Sequence, residues 1–80
     1  MDRLAIEAKT KAIVAAHFKT PADRLEPATR LREDLGGDSL DLLELAFEVE
    51  QQLGVEIPDA SLADVRTVGD AIRYAEALTS

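Results

Sequence analysis

The strongest structural signals of the chain lie in DLGGDSLDLLEL, residues 34–45. Its two adjacent glycines, Gly36 and Gly37, disfavour regular structure and allow the backbone to turn tightly. The residues that follow are mostly apolar or acidic, with no further glycine or proline before Gly54. This pattern predicts a loop that leads directly into a helix over residues 39–53.

Polar side chains mark the start of this helix. Asp38 or Ser39 is the predicted N-cap, and Asp41 lies close to the capping-box position. Ser39 is therefore expected at a helix N-terminus, with its hydroxyl in water. Because a helix N-terminus carries partial positive charge and unpaired N–H groups, an anion attached to Ser39 would be stabilised there by about 0.3–1 kcal/mol.

The same helix carries more apolar surface than one core requires. In helical projection its apolar residues span an arc of roughly 220°, whereas packing on a single core needs little more than about 100°. We therefore expect some of Leu40, Leu43 and Phe47 to be exposed beside the carboxylates. Exposed apolar groups among carboxylates are typical of a docking face, and burial of the helix on two sides is the alternative.

The rest of the chain has further helical patterns. Residues 3–18 carry apolar residues at helical spacing, and the prolines within residues 19–37 make that segment a long connection. Residues 60–65 fit one short helical turn, and Thr67 with Asp70 predicts the cap of a last helix. The predicted fold is all-α, a small bundle of three longer helices and one short helix, with a long loop between the first two.

Composition limits the classes of function. Eighty residues make one domain, residues 1–80, without cysteine and without an apolar run long enough to span a membrane. No signal peptide is evident, so a cytoplasmic protein is expected. The net charge of −7 is concentrated in residues 31–80, which carry −9. Such a surface repels nucleic acid and anionic lipid and attracts basic partners, although acidic charge also serves solubility alone.

Residues 33–41, EDLGGDSLD, resemble the phosphopantetheine attachment motif of acyl carrier proteins. The likeness continues through Glu44-Leu45, through GVEIPD at 54–59 and through TVGDAI at 67–72. It covers nearly the whole chain and is weakest over residues 1–25. The resemblance implies a stand-alone carrier that holds acyl intermediates as thioesters for fatty acid, specialised lipid or polyketide synthesis.

The resemblance also implies the roles of individual residues. Ser39 would bear a covalent 4′-phosphopantetheine from coenzyme A, within a motif that includes Gly37, Asp38 and Leu40. Both Gly36 and Gly37 would let the modifying enzyme approach closely. The residues implied in partner binding are Asp41, Leu43, Glu44, Phe47 and Glu48, with Leu40 as part of the same apolar face.

The implied partners are a phosphopantetheinyl transferase and acyl-ligase, synthase and acyltransferase enzymes that carry basic patches. No nucleic acid and no membrane insertion are expected, and the carrier should be a monomer. Its acyl chain could enter the bundle, because each buried CH₂ is worth about 0.8 kcal/mol. The candidate lining residues are Leu31, Leu35, Leu45, Leu53, Ile57, Leu62, Val65, Ala71 and Tyr74, and an ordinary core is the alternative.

Catalytic and metal-binding interpretations are weaker. The letters GDSL at 37–40 also begin the block of an esterase family, but no histidine follows Ser39, and His17 precedes it. We therefore expect no enzyme activity and a merely structural His17 at a helix end. The carboxylates near Ser39 lack calcium-loop spacing, so no dedicated metal site is predicted, although Mg²⁺ or Ca²⁺ could bind loosely by relieving charge.

The sequence departs from the common pattern of fatty-acid carriers at several positions. Gly37 replaces the usual alanine, and Arg32 stands where an apolar residue is frequent. Departures also occur at Ala16, Gln51 and Gln52, and together they favour a specialised carrier. A peptidyl or aryl carrier of non-ribosomal peptide synthesis remains an alternative, as does an unmodified acidic interaction module.

Overall fold

The structure, a computed structural model, describes residues 2–79, in which three α-helices and two short 3₁₀ helices occur in chain order. They are α1 (Arg3–Phe18), a first 3₁₀ helix (Ala22–Arg24), α2 (Ser39–Leu53), a second 3₁₀ helix (Asp59–Asp64) and α3 (Val68–Thr79). The predicted all-α bundle is confirmed, and α1 and α2 have the predicted bounds. The first 3₁₀ helix was not predicted.

Side-chain caps fix the ends of the helices. Asp2 accepts a hydrogen bond from the backbone N–H of Ala5 at 2.8 Å and so begins α1. Gly54, with a φ of 68°, ends α2 in the left-handed conformation that glycine adopts without a steric penalty. At the start of α3, Thr67 Oγ1 accepts from the N–H of Asp70, whose carboxylate accepts from the N–H of Thr67. This is the predicted capping box.

The long loop between α1 and α2 is fixed to the start of α3. Three backbone hydrogen bonds of 2.9 Å join them, from Leu31 to Arg66, from Val68 to Thr29 and from Gly69 to Pro27. Leu25 and Leu31 of the loop are buried, and the N–H groups of Asp34 and Leu35 both donate to the carbonyl of Arg30. These two bonds to Arg30 close a turn in this segment, and the buried leucines make the loop part of the core.

Helix α1 packs against both α2 and α3, and the second 3₁₀ helix packs against α2. The apolar core is Ile6, Ile13, Val14, Leu25, Leu31, Leu42, Leu45, Val49, Val68, Ile72 and Ala75. Glu50 lies within the apolar arc of α2, and its carboxylate accepts a hydrogen bond of 2.6 Å from the N–H of Ile57. That bond holds the extended segment after α2 against the helix.

A cavity of about 50 Å³ lies in the core. Seven of the nine residues predicted to line an interior site contact it, namely Leu31, Leu45, Ile57, Leu62, Val65, Ala71 and Tyr74. The prediction was wrong for Leu35 and Leu53, which are partly buried and pack against the core from its periphery.

Candidate functional site

The site is built around the first turn of α2. Asp38 is the N-cap, because its Oδ1 accepts from the N–H of Asp41 at 3.0 Å and Asp41 Oδ2 accepts from the N–H of Asp38 at 2.9 Å. This reciprocal capping box decides between the two predicted N-caps. Ser39 is consequently the first residue of the helix, and it is exposed.

The two glycines before this turn have different structural roles. Gly36 has a φ of 73°, in the left-handed region that favours glycine. Gly37 is needed for close approach: a Cβ there would lie 2.9 Å from the carbonyl oxygen of Leu31 and 2.9 Å from Cζ of Phe18. Its N–H also donates to that same carbonyl at 2.9 Å. Gly37 is therefore required by internal packing, while the predicted approach of an enzyme stays a prediction.

The hydroxyl of Ser39 has a charged neighbour. Arg32 Nη2 donates a hydrogen bond to Ser39 Oγ at 3.1 Å, and both residues are exposed. Sequence reasoning missed this contact, although it did single out Arg32 as a departure from the family pattern. An arginine carries no acceptor and cannot act as a base, so this contact does not activate the serine as a nucleophile.

Asp41 is bound from two sides. His17 Nε2 lies 2.8 Å from Asp41 Oδ1, while Oδ2 is engaged by the N–H of Asp38. Hydrogen bonding from His17, followed by the backbone bond from Asp38, lowers the pKa of Asp41 below its ordinary value of 3.8. The rings of His17 and Phe18 also pack in a T-shaped arrangement, with their centroids 4.9 Å apart. His17 thus ties the end of α1 to the start of α2, a structural role more specific than the one predicted.

The outward face of α2 carries the predicted partner-binding residues. Leu40, Leu43 and Phe47 have exposed fractions of 62%, 43% and 58%, so their predicted exposure is confirmed. Glu44 and Glu48 are exposed on the same helix, and neither forms an ion pair with any residue of the described range 2–79. Side chains of α1, including Ala12 and Ala16, form the other wall of the groove beside this face.

The site combines an exposed serine with an exposed apolar and acidic face of α2. Within residues 2–79, no group of three or more histidine, cysteine, aspartate or glutamate side chains could hold a metal ion. None of the helices in that range is long and apolar enough to cross a membrane. Ser39 fits a phosphate ester, because it is exposed, lies in the first turn of a helix and has its Oγ contacted by a guanidinium. Fold and site together define a small helical bundle with an exposed serine at the start of its second long helix.

Comparison with known proteins supports this class. The model of the family described as "Phosphopantetheine attachment site" matches residues 8–75, and the chain belongs to that family. The solved structure of an acyl carrier protein from Enterococcus faecalis is 31% identical, with a TM-score of 0.82, and the match covers 98% of this chain and 99% of that one. The resemblance to acyl carrier proteins is confirmed.

The chain is accordingly an acyl carrier protein, and its cofactor is covalently attached 4′-phosphopantetheine. Proteins of this family are carriers and not themselves catalysts, and they work with phosphopantetheinyl transferases and synthase enzymes.

Proposed function

We propose that residues 1–80 act as one carrier domain and that Ser39 Oγ bears the phosphopantetheine arm. The observation that carries the proposal is that Ser39 is exposed in the first turn of α2, with its hydroxyl beside the guanidinium of Arg32. When bound, the arm supplies the thiol that the sequence lacks and holds an acyl group as a thioester. The protein fixes the point of attachment. It brings the acyl group to the partner enzymes and raises the effective concentration of that group there.

The docking face that we propose is the outer side of α2. Glu44 and Glu48 are free to pair with arginine or lysine of a partner, and Leu40, Leu43 and Phe47 supply the apolar contact. Asp41 contributes less than the resemblance implies, because both of its carboxylate oxygens already accept internal hydrogen bonds. Contacts of this kind are weak and exchange rapidly, which suits a protein that must visit several enzymes.

For the acyl chain we propose the core cavity as a partial shelter. Leu62 and Val65 line both this cavity and an outer cleft that also includes Arg32. A chain entering from that cleft would gain about 0.8 kcal/mol for each CH₂ that it buries. At about 50 Å³ the cavity is small, so a longer chain requires the second 3₁₀ helix to move outward.

The departures at Arg32, Gly37, Gln51 and Gln52 support a carrier for specialised lipid or secondary-metabolite synthesis rather than the common fatty-acid carrier. We propose that it is monomeric, has no enzyme activity of its own and acts in the cytoplasm with acyl-ligase, synthase and acyltransferase enzymes.

The test is the intact mass of the protein after incubation with coenzyme A, Mg²⁺ and a phosphopantetheinyl transferase of broad specificity. We expect a gain of one phosphopantetheinyl group in the wild type and in Ser61→Ala, which removes another hydroxyl, and no gain in Ser39→Ala. No gain in the wild type would favour an unmodified interaction module. Hydrolysis of a simple ester by the protein without its arm would instead support the esterase interpretation.

A further inference from the structure

The outer cleft beside Ser39 contains three arginines. Arg30, Arg32 and Arg66 line a space of about 510 Å³ between the long loop and the second 3₁₀ helix. Arg30 is committed to the loop, since its guanidinium lies 3.2 Å from Asp34 Oδ1 and 3.7 Å from Glu33 Oε2. The side chains of Arg32 and Arg66 form no ion pair with any described residue. Two unpaired cations therefore lie in the cleft, and one of them already contacts the attachment hydroxyl.

The surroundings of Ser39 are otherwise acidic. Glu33, Asp34 and Asp38 are exposed near it, and Asp41 lies half-buried in the same turn. A phosphodiester on Ser39 would add one more negative charge to this group. Since like charges close together are unfavourable, the protein needs positive charge at this point if attachment is to leave the fold as stable as before.

We propose that Arg32 is a positioning residue that binds the phosphodiester once the arm is attached to Ser39, with Arg66 adding positive charge from across the cleft. The inference rests on the proposed attachment at Ser39. The guanidinium that donates to Ser39 Oγ retains further N–H donors, and a planar fork of donors matches the oxygens of a phosphate ester.

This contact gives the arm a direction. The cleft that holds Arg32 and Arg66 is also lined by Leu62 and Val65, which form part of the wall of the core cavity. Binding of the phosphodiester on this side turns the base of the arm toward the second 3₁₀ helix and away from the exposed face of α2. Arg32 thereby favours the sheltered state of the cargo and leaves Glu44 and Phe47 open to partner enzymes.

The experiment compares the melting temperature of the protein before and after loading, in the wild type, Arg32→Gln, Arg32→Lys and Arg66→Gln. Arg3→Gln is the control, because it removes the same charge far from Ser39. Arg3 begins α1 and lies about 21 Å along the helix from His17, which contacts Asp41 in the first turn of α2. In low salt we expect the change in Tm on loading to be about 2 °C less favourable in Arg32→Gln than in the wild type or Arg3→Gln. Arg66→Gln should give a smaller change of the same sign, and Arg32→Lys an intermediate one.

A second readout is the ³¹P resonance of the loaded protein, which should move in Arg32→Gln and stay in place in Arg3→Gln. In about 1 M NaCl, where the Debye length is about 3 Å, the difference in Tm should largely disappear. Equal loading effects and equal ³¹P shifts in the wild type and Arg32→Gln would overturn the role of Arg32 while leaving attachment at Ser39 intact. Failure of the wild type to accept an arm would overturn both proposals.

Discussion

Gly37 has no side chain and so leaves room for the ring of Phe18, which is distant in sequence. The ring of Phe18 and the carbonyl oxygen of Leu31 each come within 2.9 Å of the place where a Cβ would be, so this chain requires glycine where the common family pattern has alanine. We expect Gly37→Ala to lower the free energy of unfolding by about 1–3 kcal/mol, as overpacking of a fitted site does. Urea unfolding followed by circular dichroism measures the loss.

A substitution at Phe18 provides the control for Gly37→Ala. Replacement of Phe18 by leucine removes the ring atoms that a Cβ at position 37 would meet. In a double-mutant cycle the cost of Gly37→Ala should therefore be smaller in the Phe18→Leu background, with a coupling of at least about 0.5 kcal/mol. Additive costs in the two backgrounds would show that Phe18 does not require the glycine.

The contact between His17 and Asp41 makes stability depend on pH at the acidic end. Because hydrogen bonding from His17 holds the folded-state pKa of Asp41 below 3.8, the ionised carboxylate stabilises the fold above about pH 4. That contribution is lost as the pH falls through the lowered value. Between pH 5 and pH 3 we expect the wild type to lose more stability than His17→Gln, as measured by the change in melting temperature.

The control for this prediction is Lys11→Gln, which removes a positive charge from the same helix without removing a partner of Asp41. It should lose as much stability as the wild type over the same pH range. If His17→Gln also loses as much as the wild type, the contact does not set the acid stability of this helix junction.

At the scale of elements, α2 has two faces of different energetic value. Leu45 is buried and Phe47 is 58% exposed, although both are large apolar side chains of one helix. We expect Leu45→Ala to cost about 2–5 kcal/mol of stability because it leaves a cavity, and Phe47→Ala to cost less than about 0.5 kcal/mol. Urea unfolding distinguishes the two.

For the rate of modification by a phosphopantetheinyl transferase we expect the opposite ranking, with the larger effect at Phe47 and not at Leu45. Phe47→Ala should slow loading of the arm if this face is read by the enzyme, whereas Leu45→Ala at a temperature where it remains folded should not. Unchanged loading of Phe47→Ala would mean that the exposed apolar face serves another partner or none.

The bounds of the helices could be predicted from the sequence because each end is fixed by residues that are close together in the chain. A cap such as Asp38 with Asp41, or Thr67 with Asp70, is complete within four residues, and Gly54 ends α2 by its own conformation. Contacts between distant segments could not be predicted in this way. His17 and Asp41 form a hydrogen bond although they are 24 residues apart in sequence. The path of the long loop depends on backbone hydrogen bonds to the start of α3.

The exposed residues of the candidate site could be predicted from the sequence, whereas the hydrogen bonds between its segments could not. The exposed serine follows from its predicted place at the helix N-terminus, and the exposed apolar residues follow from helical periodicity. The donor to Ser39 is seven residues away in an irregular turn, where no periodicity applies. The hydrogen bond from the N–H of Ile57 to the carboxylate of Glu50 likewise joins two segments that no periodicity relates.

At the scale of the whole molecule, the small cavity limits what the bundle can hold. Its wall includes Ala71, where a larger side chain would occupy the space of about 50 Å³. If the cargo enters here, lengthening a saturated acyl chain on the arm should raise the melting temperature of the wild type, because each buried CH₂ adds about 0.8 kcal/mol.

Ala71→Val tests this directly. The variant should retain or gain stability before loading, since it fills part of an existing cavity, but it should weaken the dependence on chain length. The melting temperature of each acylated form is the measurement. If wild type and Ala71→Val respond alike to chain length, the cargo does not use this cavity.

Fragmentation of the loaded protein in a mass spectrometer shows directly whether the arm is attached at Ser39. We expect the fragment series to place the phosphopantetheinyl mass on Ser39, with Ser61 and every other residue unmodified. The same mass on any residue other than Ser39, or fragments that carry it nowhere, would show that Ser39 is not the point of attachment.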